Sequence, residues 1–293
     1  MADQGKFARA MAISGAGDKL LPSSGAPTEG AAPVVAAPVA AAACAEPKKD
    51  EIRRVSGCCT WPQPAAVMVH DTGGPIASQF RALRAWILAG RGGKPLSVIT
   101  VTSATRGEGK TTVAYNLAVA LSEVARGRVV LVDGDLHGPS LHTLAGVRGE
   151  TGLNDILENG LEMNDHVYET SVPRLDLVPS QPTDRLENKL HNGCKQLLAN
   201  LRRNYAFVII DTPPVLIGSH ASVFAKNSDG VILVAQLEKT PRQAVKHAQE
   251  ELAKAGATVT GCVLTHHKYH IPDWLYRYFG STSSHYYHYN YRK

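Results

Sequence analysis

Ser97-Val-Ile-Thr-Val-Thr-Ser-Ala-Thr-Arg-Gly-Glu-Gly-Lys-Thr-Thr112 decides the fold. The β-branched, apolar start reads as a buried strand, the glycine-containing middle as a loop, and Lys110 onward as a helix. Gly107 and Gly109 let the backbone curl so that successive N–H groups face inward, and the helix that follows adds its positive N-terminus. Such a loop holds phosphate. In the P-loop arrangement Thr105, Arg106, Gly107, Glu108, Gly109, Lys110, Thr111 and Thr112 line the site of ATP. Lys110 reaches the β- and γ-phosphates, and the Thr111 hydroxyl is a ligand for Mg²⁺. Ala104 stands where the first glycine of such loops is usual, a small residue for a smaller one.

Outward from this segment, further β-branched runs alternate with helical patterns. Strands are expected at Arg128 to Val132, Leu175 to Val178, Phe207 to Ile210, Val231 to Ala235 and Val259 to Thr265. Helices are expected at Ile76 to Ala89, Lys110 to Val124, Asp184 to Arg203, Ser219 to Lys226 and Pro241 to Ala255. Near-continuous apolar strands separated by helices imply a doubly wound α/β fold, a mostly parallel sheet covered on both faces. Ligands of such sheets bind outside the carboxyl ends of the strands. Three aspartates fall at such ends: Asp133 and Asp135 after Val129-Val130-Leu131-Val132, and Asp211 after Phe207-Val208-Ile209-Ile210. Any one alone is also readable as a turn or helix cap. Together with the loop they form a set able to hold Mg²⁺ against a γ-phosphate, with Asp133 and Asp211 as metal candidates beside Thr111.

The ends of the chain differ in composition. Residues 1–70 are rich in Ala, Pro, Gly and Ser and read as a disordered leader, 71–280 as the P-loop domain, and 281–293 as a flexible tail. Of ten tyrosines, seven lie in the last twenty-five residues: Tyr269, Tyr276, Tyr278, Tyr286, Tyr287, Tyr289 and Tyr291. The last four sit among Ser, His and Asn, a setting that cannot pack as a core, whereas Tyr276 and Tyr278 have large apolar neighbours that fit a docked helix. An aromatic docking tail and a histidine-rich metal-binding tail are the alternatives for the last segment. A net charge of +5 without a long basic block gives no reason to expect nucleic acid. Five cysteines without CxxC spacing indicate neither a disulfide framework nor a zinc site, and point to a reducing compartment. No run approaches the length of a membrane-spanning helix.

The loop from Ala104 to Thr111, Val-Asp-Gly-Asp at 132–135 and Ile-Ile-Asp-Thr-Pro-Pro at 209–214 resemble the bacterial tyrosine kinase family. The resemblance runs from about Ile76 to the end and includes Gly152-Leu-Asn-Asp-Ile-Leu157. It implies a cytoplasmic P-loop protein-tyrosine kinase that uses ATP and Mg²⁺ and serves capsule or exopolysaccharide synthesis. Lys110, Asp133, Asp135 and Asp211 are then the catalytic residues, and Tyr286, Tyr287, Tyr289 and Tyr291 the autophosphorylation cluster. A separate membrane-bound polysaccharide co-polymerase would recruit the chain peripherally to the inner face of the membrane, and a tyrosine phosphatase would reset it. Arg81 and Arg84 match an oligomerisation motif of the family, with Ser78 where Glu is usual; a solvated basic helix face is the other reading.

Two departures matter. His137 stands where the family's second acidic element carries arginine. The related partition and septum-positioning ATPases share both acidic elements, but their loop has a signature lysine at the position of Thr105, whose charge reaches a partner's nucleotide. Its absence ranks the kinase ahead of that ATPase class. A catalytically weak, nucleotide-gated scaffold of the same fold is the non-enzymatic alternative.

Overall fold

The computed structural model describes residues 12–15, 54–59, 66–90, 96–147, 151–183 and 185–266. Its centre is a parallel sheet of β3 (Val98–Ser103), β4 (Val129–Asp133), β6 (Leu175–Val178), β7 (Phe207–Asp211), β8 (Gly230–Gln236) and β9 (Val259–Thr265). All six are the strands expected from the apolar runs, within a residue or so at each end. Alternate residues face opposite sides, so each strand feeds two cores. Ile99, Val101, Leu131, Ile209, Ile232 and Val234 pack on one side. Val98, Val130, Val132, Val208 and Ile210 pack on the other.

The first side is covered by α2 (Pro75–Ala89) and α3 (Lys110–Ser122), with the short α1 (Val67–His70) lodged against them. The second carries α6 (Glu187–Asn204), α7 (Ser219–Asn227) and α8 (Arg242–Lys254). Ten consecutive residues of α3, Val113 to Ser122, are buried, which explains why its apolar residues do not form one stripe. It is a core helix, enclosed by the sheet and α2. Burying a Leu or Ile of this kind contributes about 1.5–3 kcal/mol.

The sheet is larger than the sequence shows. Its order is β1-β9-β8-β3-β7-β4-β6-β5-β2, where β1 is Ala12–Gly15, β2 is Arg54–Cys59 and β5 is Val167–Thr170. β1 pairs antiparallel with β9 at one edge, while β5 pairs antiparallel with β6 and parallel with β2 at the other. The expectation of a wholly disordered leader is therefore corrected at β1 and β2. An edge strand gains backbone hydrogen bonds along one side only and needs few large apolar residues, so burial patterning does not reveal it. The structure also adds α4 (Leu141–Ala145) and α5 (Leu153–Glu158), both too short for a helical period to emerge. The tail with Tyr286, Tyr287, Tyr289 and Tyr291 lies outside the described residues.

β2 is held by charge as well as by pairing. Asp176 in β6 is fully buried and accepts from Arg54 Nε at 2.9 Å and Arg128 Nε at 2.8 Å, with Arg128 Nη2 on its second oxygen. Asp176→Ala would leave two guanidinium groups without their shared partner and should cost about 3–5 kcal/mol in urea unfolding. Arg54→Ala leaves the bidentate Arg128 pair in place and should cost about 1 kcal/mol. Equal losses would show that Arg128 and Arg54 do not share the load as drawn.

Candidate active site

The site sits where β3, β4 and β7 end. Residues 104–109 form the loop between β3 and α3, with Gly107 at φ 79° and Gly109 at φ 90°, both in the left-handed region that only glycine enters cheaply. Gly109 is also the N-cap of α3, so Lys110, Thr111 and Thr112 form that helix's first turn. Thr105, Arg106 and Gly107 are exposed at the loop's tip, and Lys110, Thr111 and Thr112 are partly buried.

Glu108 behaves differently from its loop neighbours. Its side chain is only 1 % exposed: the carboxylate accepts Thr105 N–H at 2.7 Å and the Thr240 hydroxyl, while its carbonyl accepts the Thr265 hydroxyl at 2.8 Å. Its role in the phosphate cradle is limited to its backbone. The carboxylate ties the loop to the turn after β8, and the backbone carbonyl ties it to the carboxyl end of β9. The same turn after β8 brings Lys239 Nζ to 3.9 Å from the position a Cβ on Gly107 would take. Sequence reasoning missed this cation; the available signal was a lysine just past a strand's carboxyl end.

Asp133 and Asp211 are direct partners across β4 and β7. Both are buried, at 0 % and 1 % exposure. Asp133 accepts N–H bonds from Asp135 at 3.2 Å, Ser140 at 3.0 Å and Leu141 at 2.9 Å. Burial, followed by the charge of Asp211, still pushes it up to about 8. Asp211 is pushed up to about 6, chiefly by burial, with the Lys110 charge and the Thr111 hydroxyl pulling the other way. Its Oδ1 has no hydrogen-bond partner among the described residues. The Thr111 hydroxyl lies 3.4 Å from the Ser140 hydroxyl, so α3 and the loop after β4 face each other here.

Gly134 is required by close approach. A Cβ on it would lie 2.8 Å from the Phe224 ring and 2.9 Å from the Asp211 carbonyl oxygen, which accepts the Gly134 N–H at 2.7 Å. Asp135, half-buried, turns outward and accepts Gly138 N–H at 3.0 Å. The structure thus brings Lys110, Thr111, Asp133, Asp135 and Asp211 together around one strand-end crevice. Arg81 and Arg84 lie elsewhere, on α2, where both bind Glu123 just past α3; Arg81 also donates to the Thr72 carbonyl at 2.7 Å and Arg84 to that of Ala120 at 2.9 Å. Although partial burial works against its charge, the two arginines hold the Glu123 carboxyl below its ordinary range.

The donor set fits a hard divalent cation. It offers buried carboxylate oxygens, one of them unpartnered, and a hydroxyl, all hard ligands. Among the described residues no group of three or more His, Cys, Asp or Glu side chains could hold a metal by itself. The buried Asp133 and Asp211 with the Thr111 hydroxyl match the needs of Mg²⁺, which takes one or two carboxylates and completes its shell with water and phosphate oxygens.

The raised carboxyls make a stability prediction. A carboxyl with a folded pKa above its unfolded value binds more protons when folded, so stability is lost as pH rises from about 4 through the folded pKa. For Asp211 that window ends near pH 6 and for Asp133 near pH 8. Without nucleotide the protein should therefore melt at a lower temperature at pH 8.5 than at pH 5.5. Asp211→Asn should raise the pH 8.5 midpoint by an amount equivalent to about 1–3 kcal/mol, at ~1.4 kcal/mol per pKa unit. Calorimetry of both forms checks this, and a destabilised Asn form would show that the buried charge is better compensated than the geometry indicates.

Comparison with known proteins agrees with this crevice. The family model described as "ParA: NUBPL iron-transfer P-loop NTPase" matches residues 95–284. The tyrosine-protein kinase CpsD of Streptococcus agalactiae is 32% identical over 178 residues, 59% of this chain and 75% of that one. The tyrosine-protein kinase YwqD of Bacillus subtilis is 30% identical over 193 residues, 64% of this chain and 80% of that one. Among solved structures, the chimerical protein CapA2B2 superposes with a TM-score of 0.66 at 30% identity, covering 73% of this chain and 93% of that one. With the phosphate loop, both acidic strand ends and these relatives in agreement, the chain belongs to the bacterial tyrosine kinase family of ParA-type P-loop NTPases.

Proposed function

We propose that this chain is an ATP-dependent protein-tyrosine kinase that phosphorylates its own C-terminal tyrosines and thereby regulates capsule or exopolysaccharide synthesis or export. The observation that carries the reading is the convergence of Lys110 and Thr111 with two buried strand-end aspartates, Asp133 and Asp211, in a chain of this family. Thr105, without the signature lysine, weighs against the partition-type ATPase.

In this reading the loop amides from Arg106 to Thr112 and the Lys110 ammonium hold the β- and γ-phosphates of ATP. Thr111, Asp133 and Asp211 would hold Mg²⁺, which when bound neutralises phosphate charge. The tyrosyl oxygen attacks the γ-phosphorus, the bond from that phosphorus to the β–γ bridging oxygen breaks, and ADP leaves. Asp133 or Asp135 orients the phenol and takes its proton. A free phenol has a pKa near 10, so early proton removal by a carboxylate would be unfavourable. The loose transition state of phosphoryl transfer relaxes that demand, because positioning and charge neutralisation contribute more than deprotonation.

The acceptors are Tyr286, Tyr287, Tyr289 and Tyr291, presented to a neighbouring copy. Each phosphotyrosine adds about −1.5 to −2 in charge, enough to expel the tail from an acidic, phosphate-bearing site. Assembly through α2 would require Arg81 or Arg84 to exchange Glu123 for a carboxylate on the neighbouring copy. A membrane-bound co-polymerase recruits the chain peripherally from the cytoplasm, and a tyrosine phosphatase resets the cycle. Among the described residues no helix is long and apolar enough to cross a membrane.

Lys110→Met should leave the fold intact and lower phosphotyrosine formation at least a hundredfold, since electrostatic groups of this sort supply ~3–4 kcal/mol of the barrier. Radiolabelled ATP with phosphoamino-acid analysis reads this directly, and near-normal labelling by the folded variant would reject the assignment. Replacing the four tail tyrosines with Phe should remove most phosphotyrosine while nucleotide affinity stays unchanged, and light scattering should show an assembly that ATP no longer disperses. Labelling that persists at wild-type level would place the acceptors elsewhere.

A further inference from the structure

The loop after β4 is pinned at both ends. Gly134 N–H donates to the Asp211 carbonyl at 2.7 Å, and the N–H groups of Ser140 and Leu141 donate to the Asp133 carboxylate. Between these pins, the Asp135 to Gly138 turn carries His137 outward, and its side chain is exposed. The ring is not loose: it stacks on His220 with centroids 4.4 Å apart and planes 16° from parallel. His220, in the first turn of α7, is only 1 % exposed. The chain before α7 closes the same corner. A Cβ on Gly218 would lie 3.9 Å from the His137 ring, and Ile217, next to Gly218, is 51 % exposed. The turn after β4, which carries Asp135, and the first turn of α7 are thus joined by an aromatic stack, with the exposed Ile217 in the chain that leads into α7.

Simple solvation does not account for this arrangement. The stack lays an exposed ring flat on a buried one, and an isoleucine half in water, next in sequence to the glycine that approaches this ring, adds exposed apolar surface at a site otherwise rich in charge. A flat ring surface on the same turn as Asp135 suits a side chain that is itself a flat ring ending in a hydroxyl. We propose that the His137–His220 stack, edged by Ile217, is the docking platform for the acceptor tyrosine, holding its ring so that the hydroxyl points toward Asp135 and the crevice. This rests on the kinase reading and adds to it the groups that select tyrosine over serine or threonine. An aliphatic hydroxyl offers no ring to stack and loses this contact. The platform is a positioning element, because it touches the acceptor's ring and leaves the reacting atoms to the aspartates.

The test separates this inference from the kinase assignment. Full-length protein loaded with a non-hydrolysable ATP analogue is titrated with a short peptide bearing one central tyrosine, and with the same peptide bearing alanine there. Aromatic pairs of this geometry correspond to about a three- to tenfold preference for the tyrosine peptide. His137→Ala should erase that preference while the affinity for the ATP analogue stays within about twofold. His137→Phe, which keeps a flat ring and removes the ring nitrogens, should restore it. Equal binding of the two peptides by the wild type, a preference that survives His137→Ala, or a Phe variant that behaves like the Ala variant would each overturn the platform. A thermal melt of each variant excludes unfolding, and a His137→Ala effect on nucleotide affinity alone would assign the stack to loop bracing and overturn the platform as well. Absence of phosphotyrosine when the same wild-type preparation is given ATP and peptide counts against the kinase reading, a separate outcome from the binding preference.

Discussion

The organising constraint of this molecule is a pair of carboxyl groups buried at the carboxyl ends of two adjacent strands, where burial opposes their ionisation. Asp133 and Asp211 face each other in register between β4 and β7, fully enclosed, and neither meets a cation at ion-pair distance among the described residues. Three backbone N–H groups serve Asp133, yet burial and the neighbouring charge still raise it. Asp211 is left with an unpartnered oxygen. A fold tolerates such a pair only if something repays its desolvation, and the helix N-terminus, Lys110 and Thr111 directly opposite are the groups through which a Mg-nucleotide would do so. Binding and folding are then coupled: a ligand that neutralises the pair stabilises the native state by mass action as well as occupying the site.

The rest of the sheet keeps those groups in place. Glu108 is a second buried carboxylate, but it is satisfied by Thr105 N–H and the Thr240 hydroxyl and so acts mechanically. It fixes the phosphate loop to β8 and β9, while Gly134 lets the loop after β4 lie against the Asp211 backbone with no room for a Cβ. Loop, β4 and β7 therefore cannot shift independently. A displacement of an ångström at any of them moves the carboxylates relative to Lys110, and catalysis by positioning is sensitive to shifts of that size.

How much of this was legible in the sequence follows from what each element has to bury. The central strands β3, β4, β6 and β7 are buried along their whole length, and their runs, such as Phe207 to Ile210, announce it. The phosphate loop was legible because its glycines, lysine and threonines have few other uses in that order between a strand and a helix. β5 was not, since only Val167 and Tyr168 of its four residues are buried, nor were β1 and β2, which pair at edges inside an Ala- and Pro-rich segment. Glu108 read as one more residue lining the ATP site, because the Thr240 and Thr265 hydroxyls that donate to it are more than a hundred residues away. Arg81 and Arg84 were read as an exposed motif, whereas Glu123 meets them within the chain. Such long-range pairings leave no local periodicity to detect.

The same limit explains why His137 read only as a departure from the family pattern. Sequence places it two residues past Asp135, where a missing arginine looks like lost charge. The structure gives it His220, eighty-three positions away, as a stacking partner. Arginine and histidine share one property at such a place, a flat face that stacks, and differ in another, since the guanidinium is a permanent cation. Beside two buried carboxylates a permanent cation would offset part of their mutual repulsion. With histidine there, the loop supplies no such permanent cation, and relief of the pair falls to Lys110, whose charge already pulls Asp211 down, and to a Mg-nucleotide where one would bind.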